Sequence, residues 1–253
     1  MDNQRSIYQR LYRKTAAEVD SIRLDREREI ELTADAVHRH ILSQTRLLLD
    51  IGCGTGRFAQ RFAEKGYFVV GIDISEVLLR IAVRRIPVQC ASATSIPFRV
   101  STFDVALMSL LLQQLTAMEQ HNAIQEAARV LGRNGILVVR TCSHADLRRR
   151  PFNDFFPSSL SVNLARYPRI SGVEDLMKKA GLEVEETVPV FSDVPVSAED
   201  LLYATRSKHN TTLELIPNDE FERGCEKLAQ SLEGKTEFVV PHYHTIVVGR
   251  KHV

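Results

Sequence analysis

Asp50, Gly52, Gly54 and Gly56 occupy alternate positions in LLLDIGCGTGRF, directly after an apolar run. Glycines at this spacing let the backbone approach a ligand and permit positive φ where a strand turns into a helix. The amides and dipole at the start of the next helix then point at whatever sits there. A dinucleotide fingerprint, G-x-G-x-x-G, would place its third glycine at position 57, where this chain has Arg57. The third glycine instead comes one residue early, and an acid precedes the first by two, which fits a pyrophosphate cradle poorly. Asp73 closes the next apolar run, in GIDIS, 21 residues after Gly52. In an open α/β sheet this puts a carboxylate across the crevice from the turn, where it can accept from both hydroxyls of a ribose. Capping of the helix in ISEVLL is the structural alternative for Asp73.

Other residues could act on an acceptor. His144 follows the fifth strand, near the mouth where ligands enter such sheets, and is the candidate general base. A surface or helix-capping role is its alternative. His242 and His244 flank Tyr243 beside the last strand, and alternation puts both on one face. Such a pair lacks the third ligand a metal needs, so no metal site is expected. The run Arg148, Arg149, Arg150 reads as a solvated charge cluster or as recognition of a carboxylate or phosphate. In the second case Phe152, Phe155 and Phe156 supply an apolar wall.

These residues need elements to hold them. Residues 1–45 mix charged and apolar positions without Gly or Pro and read as helices. From Arg46 short apolar strands alternate with amphipathic helices: RLLLDIG, RFAQRFAEKG, YFVVGID and SEVLLRIAVRR, the last with Ser75 as N-cap. VQC and FDVALMSL are further strands. A helix with a Thr116–Glu119 capping box follows, and GRNG then turns into the strand ILVVRT. This alternation implies a parallel sheet covered on both faces. After residue 142 the rhythm breaks into an Arg-, Pro- and Phe-rich stretch. A helix, a glycine turn and a strand resume near 171, a helical insertion spans 192–240, and YHTIVVGRK closes the chain. One catalytic domain is expected, divided into 1–45 (helical lid), 46–142 (cofactor-binding core), 143–170 (cap insertion), 171–191 (core), 192–240 (helical cap insertion) and 241–253 (closing strand).

Composition narrows the partners. A net charge of +1 over 253 residues gives no field toward nucleic acid or membrane. No stretch approaches a membrane span, and the N-terminus is too charged for a signal peptide. Cys53, Cys90, Cys142 and Cys225 are scattered without ligand spacing, so buried free thiols in a cytoplasmic protein are expected.

Residues 46–141 closely resemble the cofactor half of class I S-adenosylmethionine-dependent methyltransferases, the type 11-like small-molecule group. The likeness runs through LLLDIGCGTGRFAQRFAEKGYFVVGIDIS, ASATSIPFRVSTFDVALMSLLLQQL and EAARVLGRNGILVVRT. It implies a Rossmann-like, seven-stranded, mostly parallel sheet with an antiparallel last strand. Helices would cover both faces, with a helical cap from the N-terminal segment and insertions. S-adenosylmethionine is the implied cofactor. By the resemblance Gly52, Cys53, Gly54 and Gly56 form the cofactor turn, and Asp50 helps to place the methionyl amino group. Asp73 would bind the ribose, Ile74 would pack on adenine, and Ser92 and Ala93 would lie at its edge. Met108 and Ser109 would floor the methyl site, and Tyr12, sharing a helix face with Tyr8, would close it from an N-terminal lid.

Two positions depart from the family pattern. Many relatives carry G-D-A before x-x-L-P-F, where this chain has Ala91, Ser92 and Ala93. Many also carry a histidine pair where Gln113 and Gln114 stand. The resemblance implies methyl transfer to a small-molecule O, N, S or C acceptor. RNA or protein methylation and a catalytically silent cofactor-binding scaffold are the alternatives. The sequence leaves the oligomeric state open.

Overall fold

A computed structural model describes residues 27–42 and 46–252. Helix α1 (Glu27–His40) precedes the alternating core. The core contains β1 (Leu47–Ile51), α2 (Arg57–Glu64), β2 (Phe68–Asp73), α3 (Glu76–Ala82) and β3 (Val88–Cys90). It continues through β4 (Phe103–Ser109), α4 (Ala117–Val130) and β5 (Leu131–Thr141). Two expected caps are present. Ser75 Oγ accepts from the Leu78 amide at the start of α3, and Thr116 and Glu119 form a reciprocal capping box on α4.

Beyond the core lie α5 (His144–Arg148), α6 (Ser158–Arg166), α7 (Ile170–Lys179), β6 (Leu182–Ser197), α8 (Ala198–Arg206), α9 (Asn218–Leu232) and β7 (Glu237–Lys251). The seven strands form one sheet in the order β3-β2-β1-β4-β5-β7-β6. Pairings from β3 to β5 are parallel, and β7 runs antiparallel between β5 and β6. The sheet is the expected mostly parallel, seven-stranded α/β architecture. Chain order reverses between β1 and β4, and the crevice outside their carboxyl ends is where ligands enter such a sheet.

Buried side chains on both faces explain the near-continuous apolar strands. One core packs Leu49, Ile51 and Met108 with Ile124 and Ala127 of α4 and Met177 of α7. The other packs Leu48 and Leu107 with Val37 of α1 and Phe62 of α2. The described part of the expected N-terminal lid, α1, thus buries Ala34, Ala36 and Val37 in the core.

The sheet departs from the expected element limits in two places. GRNG lies within β5 as an irregularity: Phe103 pairs Leu131 while Val105 pairs Ile136, and Asn134 takes a φ of 63°. β6 continues to Ser197 and β7 begins at Glu237, so a long two-stranded ribbon carries α8 and α9 at its tip. Alternating burial along Val190–Val196 lets this ribbon stay a strand beyond the sheet. The two stretches expected as cap insertions meet in a third core of Phe156, Leu213, Ile216, Phe221 and Cys225. Of the four cysteines, Cys53, Cys142 and Cys225 are buried free thiols. Cys90 corrects the expectation, because β3 is an edge strand and leaves it exposed.

Gly71 of β2 lets the glycine turn settle on the sheet. A Cβ there would meet Cys53 Sγ at 2.7 Å and Ile86 Cδ1 at 2.8 Å. Gly71→Ala is therefore expected to cost about 1 to 3 kcal/mol through overpacking, read from the urea midpoint of unfolding.

Candidate active site

The β1–α2 turn is left-handed at each of its glycines: φ is 78° at Gly52, 57° at Gly54 and 78° at Gly56. The Gly52 and Cys53 amides donate to the Ile72 carbonyl at 2.8 and 3.0 Å, which pins the turn to β2. A Cβ on Gly52 would strike Leu111 at 2.9 Å, whereas one on Gly54 would meet nothing within 4 Å. Gly54 therefore presents bare backbone to open space. Gly56 faces Ala82 of α3 instead, where its hydrogen-only side is needed for packing.

Asp73 is buried at the end of β2 and accepts twice. Its Oδ2 takes the Gly54 amide at 2.9 Å and its Oδ1 takes the Ser75 amide at 2.8 Å. Positioning of the turn and capping of α3 thus share one carboxylate, with lone pairs left over for a ligand. Burial raises the Asp73 carboxyl above its ordinary range, partly offset by these amides. Asp50 is fully enclosed, and burial together with the Asp73 charge pushes it up to about 7. Two acids side by side at the end of a sheet favour a cationic ligand.

Two hollows meet at the turn. A cleft of about 70 Å³ lies between Gly52, Asp73, Ile74, Ser92, Ala93 and Leu111. A larger cavity of about 670 Å³ reaches from Asp50, Gly52, Cys53, Gly54 and Ser109 to the cap. Most of the sequence-derived cofactor residues therefore come together around one crevice. Met108 does not, because alternation along β4 sends it into the core while Ser109 faces the cavity. Tyr12 lies outside the described residues. Ser92 Oγ accepts from the Thr94 amide at 3.2 Å, a local turn that occupies part of its hydrogen-bonding capacity.

His144 corrects the expectation for a base. It begins α5, its Nε2 is 2.9 Å from the Tyr167 carbonyl oxygen, and it lines neither hollow. The arginine run is divided. Arg148 and Arg149 are exposed, while Arg150 lines the cavity with Phe152, Phe155 and Tyr167. Arg150 donates to Cys142 Sγ at 2.9 Å and lies 5.9 Å from the Tyr167 ring centre. Burial raises the Tyr167 phenol, so it is held protonated. Phe156 sits behind this wall, fully buried in the cap core.

The cavity has a polar corner that no local sequence pattern announces. Arg140 of β5 is almost wholly buried, donates to Ser109 Oγ at 3.1 Å, and pairs with the fully buried Glu29 of α1. Glu29 also bonds His242 Nδ1, while Arg140 Nη2 sits 2.9 Å from His244 Nε2. His242 and His244 share a face as alternation requires, but on a carboxylate and a guanidinium. No group of three potential metal ligands occurs among the described residues. An arginine inside the apolar run ILVVRT was the available signal. Its partner lies 111 residues upstream, a distance no local pattern spans.

Residues 49–139 match a family model described as a methyltransferase domain. Residues 49–139 thus form a methyltransferase domain, on a Rossmann-like sheet of the class I kind. S-adenosylmethionine is the cofactor that this domain implies. An uncharacterized protein of Methanocaldococcus jannaschii is 29% identical over 63% of this chain and 75% of its own. A demethylmenaquinone methyltransferase of Paenarthrobacter aurescens is 33% identical over 38% of this chain and 39% of its own length. A structure described as a methyltransferase of an antibiotic biosynthesis pathway in Anabaena variabilis shares the fold. Its TM-score is 0.67 at 19% identity, over 86% of this chain and 96% of that one.

The cofactor residues fit this ligand. Gly54 leaves room for it, the two acids suit its positive charge, and Thr55 Oγ1 and Gln113 Oε1 line the cavity, buried without hydrogen-bond partners among the described residues. The elevated Asp50 carboxyl also makes a stability prediction. A carboxyl raised from 3.8 to about 7 favours the protonated fold, so wild-type stability falls as pH rises from about 4 through 7. Asp50→Asn should gain on wild type across that window and hold a constant advantage above it. Denaturant titrations at pH 5 and pH 8 measure the difference, which grows by about 1.4 kcal/mol for each pH unit crossed inside the window.

Proposed function

We propose that this methyltransferase moves the methyl group of S-adenosylmethionine to a small molecule enclosed between core and cap. The observation that carries this reading is the continuous cavity. Its core wall holds Asp50, Gly52, Gly54 and Ser109, and its cap wall holds Arg150, Phe152, Phe155 and Tyr167. Its volume of about 670 Å³ is in the range of sites for small organic molecules. The cap is assembled from two separate insertions, which supports an enclosed acceptor over a polymer. The net charge of +1 supports the same choice against nucleic acid. No described helix is long and apolar enough to cross a membrane, and a cytoplasmic location accords with the reading.

When bound, the cofactor supplies a methyl carbon made electrophilic by its sulfonium. In this assignment the backbone of Gly52, Cys53 and Gly54 cradles the methionyl part, and Asp50 takes its ammonium. Asp73 accepts from the ribose hydroxyls. Ile74 packs on adenine, with Ser92 and Ala93 at its edge. Ser109 floors the methyl site. The cap holds the acceptor in line and excludes water, and orientation of this kind is worth about 7 to 11 kcal/mol.

S-adenosylhomocysteine at 100 times its Kd should stabilise the fold by about 2.7 kcal/mol, raising Tm by roughly 5 to 11 °C. Asp73→Ala should remove most of that rise. A cofactor ammonium beside Asp50 favours its ionised form, so binding releases a proton below pH 7. Calorimetry should show affinity rising up to about tenfold per pH unit toward 7 and levelling above it. Asp50→Asn should flatten that profile. Binding without transfer to any acceptor would instead favour a silent scaffold.

A further inference from the structure

We propose that His242 is the general base of the transfer, that Glu29 orients it, and that the acceptor presents a hydroxyl group. This rests on the methyl-transfer reading above. Three observations point to it.

First, His242 lines the large cavity, as do Ser109 and Gly54. Its Nδ1 is bonded to Glu29, and among the described residues its Nε2 has no hydrogen-bond partner. With Nδ1–H donated to a carboxylate, Nε2 carries the lone pair, on a ring that lines the cavity. This is the arrangement of a base aligned by an acid.

Second, the carboxylate is itself fixed. Glu29 is fully buried, and Arg140 binds its other oxygen. Arg140 also reaches Ser109 Oγ at 3.1 Å, so a chain of contacts runs from the end of β4 to His242. The charged and titratable groups around the imidazole are Glu29 from α1, Arg140 from β5 and His244 on its own strand. Ser192 pairs with His242 from β6 and adds no charge. The Glu29 carboxylate offsets the positive charge that His242 acquires on taking a proton.

Third, most other candidates at the cavity are engaged elsewhere, and His209, which also lines it, packs in the cap against the Tyr203 ring. His244 has both ring nitrogens within 3.2 Å of Arg140 Nη2. Burial raises the Tyr167 phenol, Asp50 stands at the cofactor end, and His144 lies outside both hollows.

Such a base fits one class of acceptor. A thiol or amine needs little help, whereas a phenol with a pKa near 10 is mostly protonated at neutral pH. In the step, the hydroxyl proton passes to His242 Nε2 while the oxygen's electron pair forms the new oxygen–methyl bond. The electrons of the broken sulfur–carbon bond remain on sulfur as a neutral thioether, and the imidazolium later releases its proton to solvent.

The test uses the full chain labelled with 15N-histidine and saturated with S-adenosylhomocysteine. Long-range 1H–15N correlation at pH 7.5 should show the neutral form of His242 carrying its proton at Nδ1, with Nε2 bare. The Nε2–H tautomer would overturn the proposal whatever the activity. In parallel, simple phenols and the matched thiophenols serve as acceptor probes. His242→Gln should lower kcat with phenols by about 10² to 10⁴-fold, with a much smaller loss on thiophenols and an unchanged Kd for S-adenosylhomocysteine. Glu29→Gln keeps the shape and should retain the tautomer while lowering kcat with phenols. Phenol turnover equal to wild type in His242→Gln would overturn the proposal. Failure of wild type to bind S-adenosylhomocysteine, or to methylate either probe class, would instead strike at the underlying methyl-transfer reading.

Discussion

The bond from the Gly54 amide to Asp73 organises the molecule's working end. It ties the turn after β1 to the last residue of β2, so the two strand ends share one carboxylate. The turn can follow that path because Gly52, Gly54 and Gly56 take positive φ, a region where a Cβ is strained. Once the path is set, Asp50 falls close enough to Asp73 to feel its charge, and Gly54 is left with open space before it. The crevice, its electrostatics and its shape all descend from that geometry.

On the other side of the cavity, shape comes from a different device. β6 and β7 keep pairing after the sheet has ended, down to Ser197 and Glu237. Two helices ride on this ribbon, and Phe156 from the earlier insertion locks into them. Gly224 of α9 is part of that lock, since a Cβ there would meet the Phe155 carbonyl oxygen at 2.6 Å. The cap has a hydrophobic core of its own, so its shape is set apart from the sheet beneath it.

The two halves differ in how legible they were. The glycine turn, Asp73, both helix caps and the alternation from Arg46 to Thr141 are encoded by neighbours in sequence, so reading along the chain finds them. Even there, Met108 and Ser109 show the limit: both lie at the right depth, but strand alternation gives the cavity to one alone. The cap is governed by distant contacts. His144 had a suitable position by chain order yet turns its ring to Tyr167, 23 residues on. Arg150 stood in a run that could be a solvated cluster or an anion site, and folding separates it from its neighbours by turning it to the cavity. Glu29 carries no local signal, because its partners Arg140 and His242 lie 111 and 213 residues away.

That 213-residue span carries a consequence for how the protein is made. Strands β1 to β5 pair with neighbours that emerge from the ribosome early, and they contain the whole glycine turn with Asp73. The corner formed by Glu29 and His242 must wait for β7 to return to α1. Closing so long a loop adds little to the cost of a medium one, because the entropy grows only logarithmically with length. The order of events is another matter, since domains form as their segments become available. A nascent chain that ends after β5 holds the cofactor turn and Arg140 but lacks the strand that brings His242 and His244 to them.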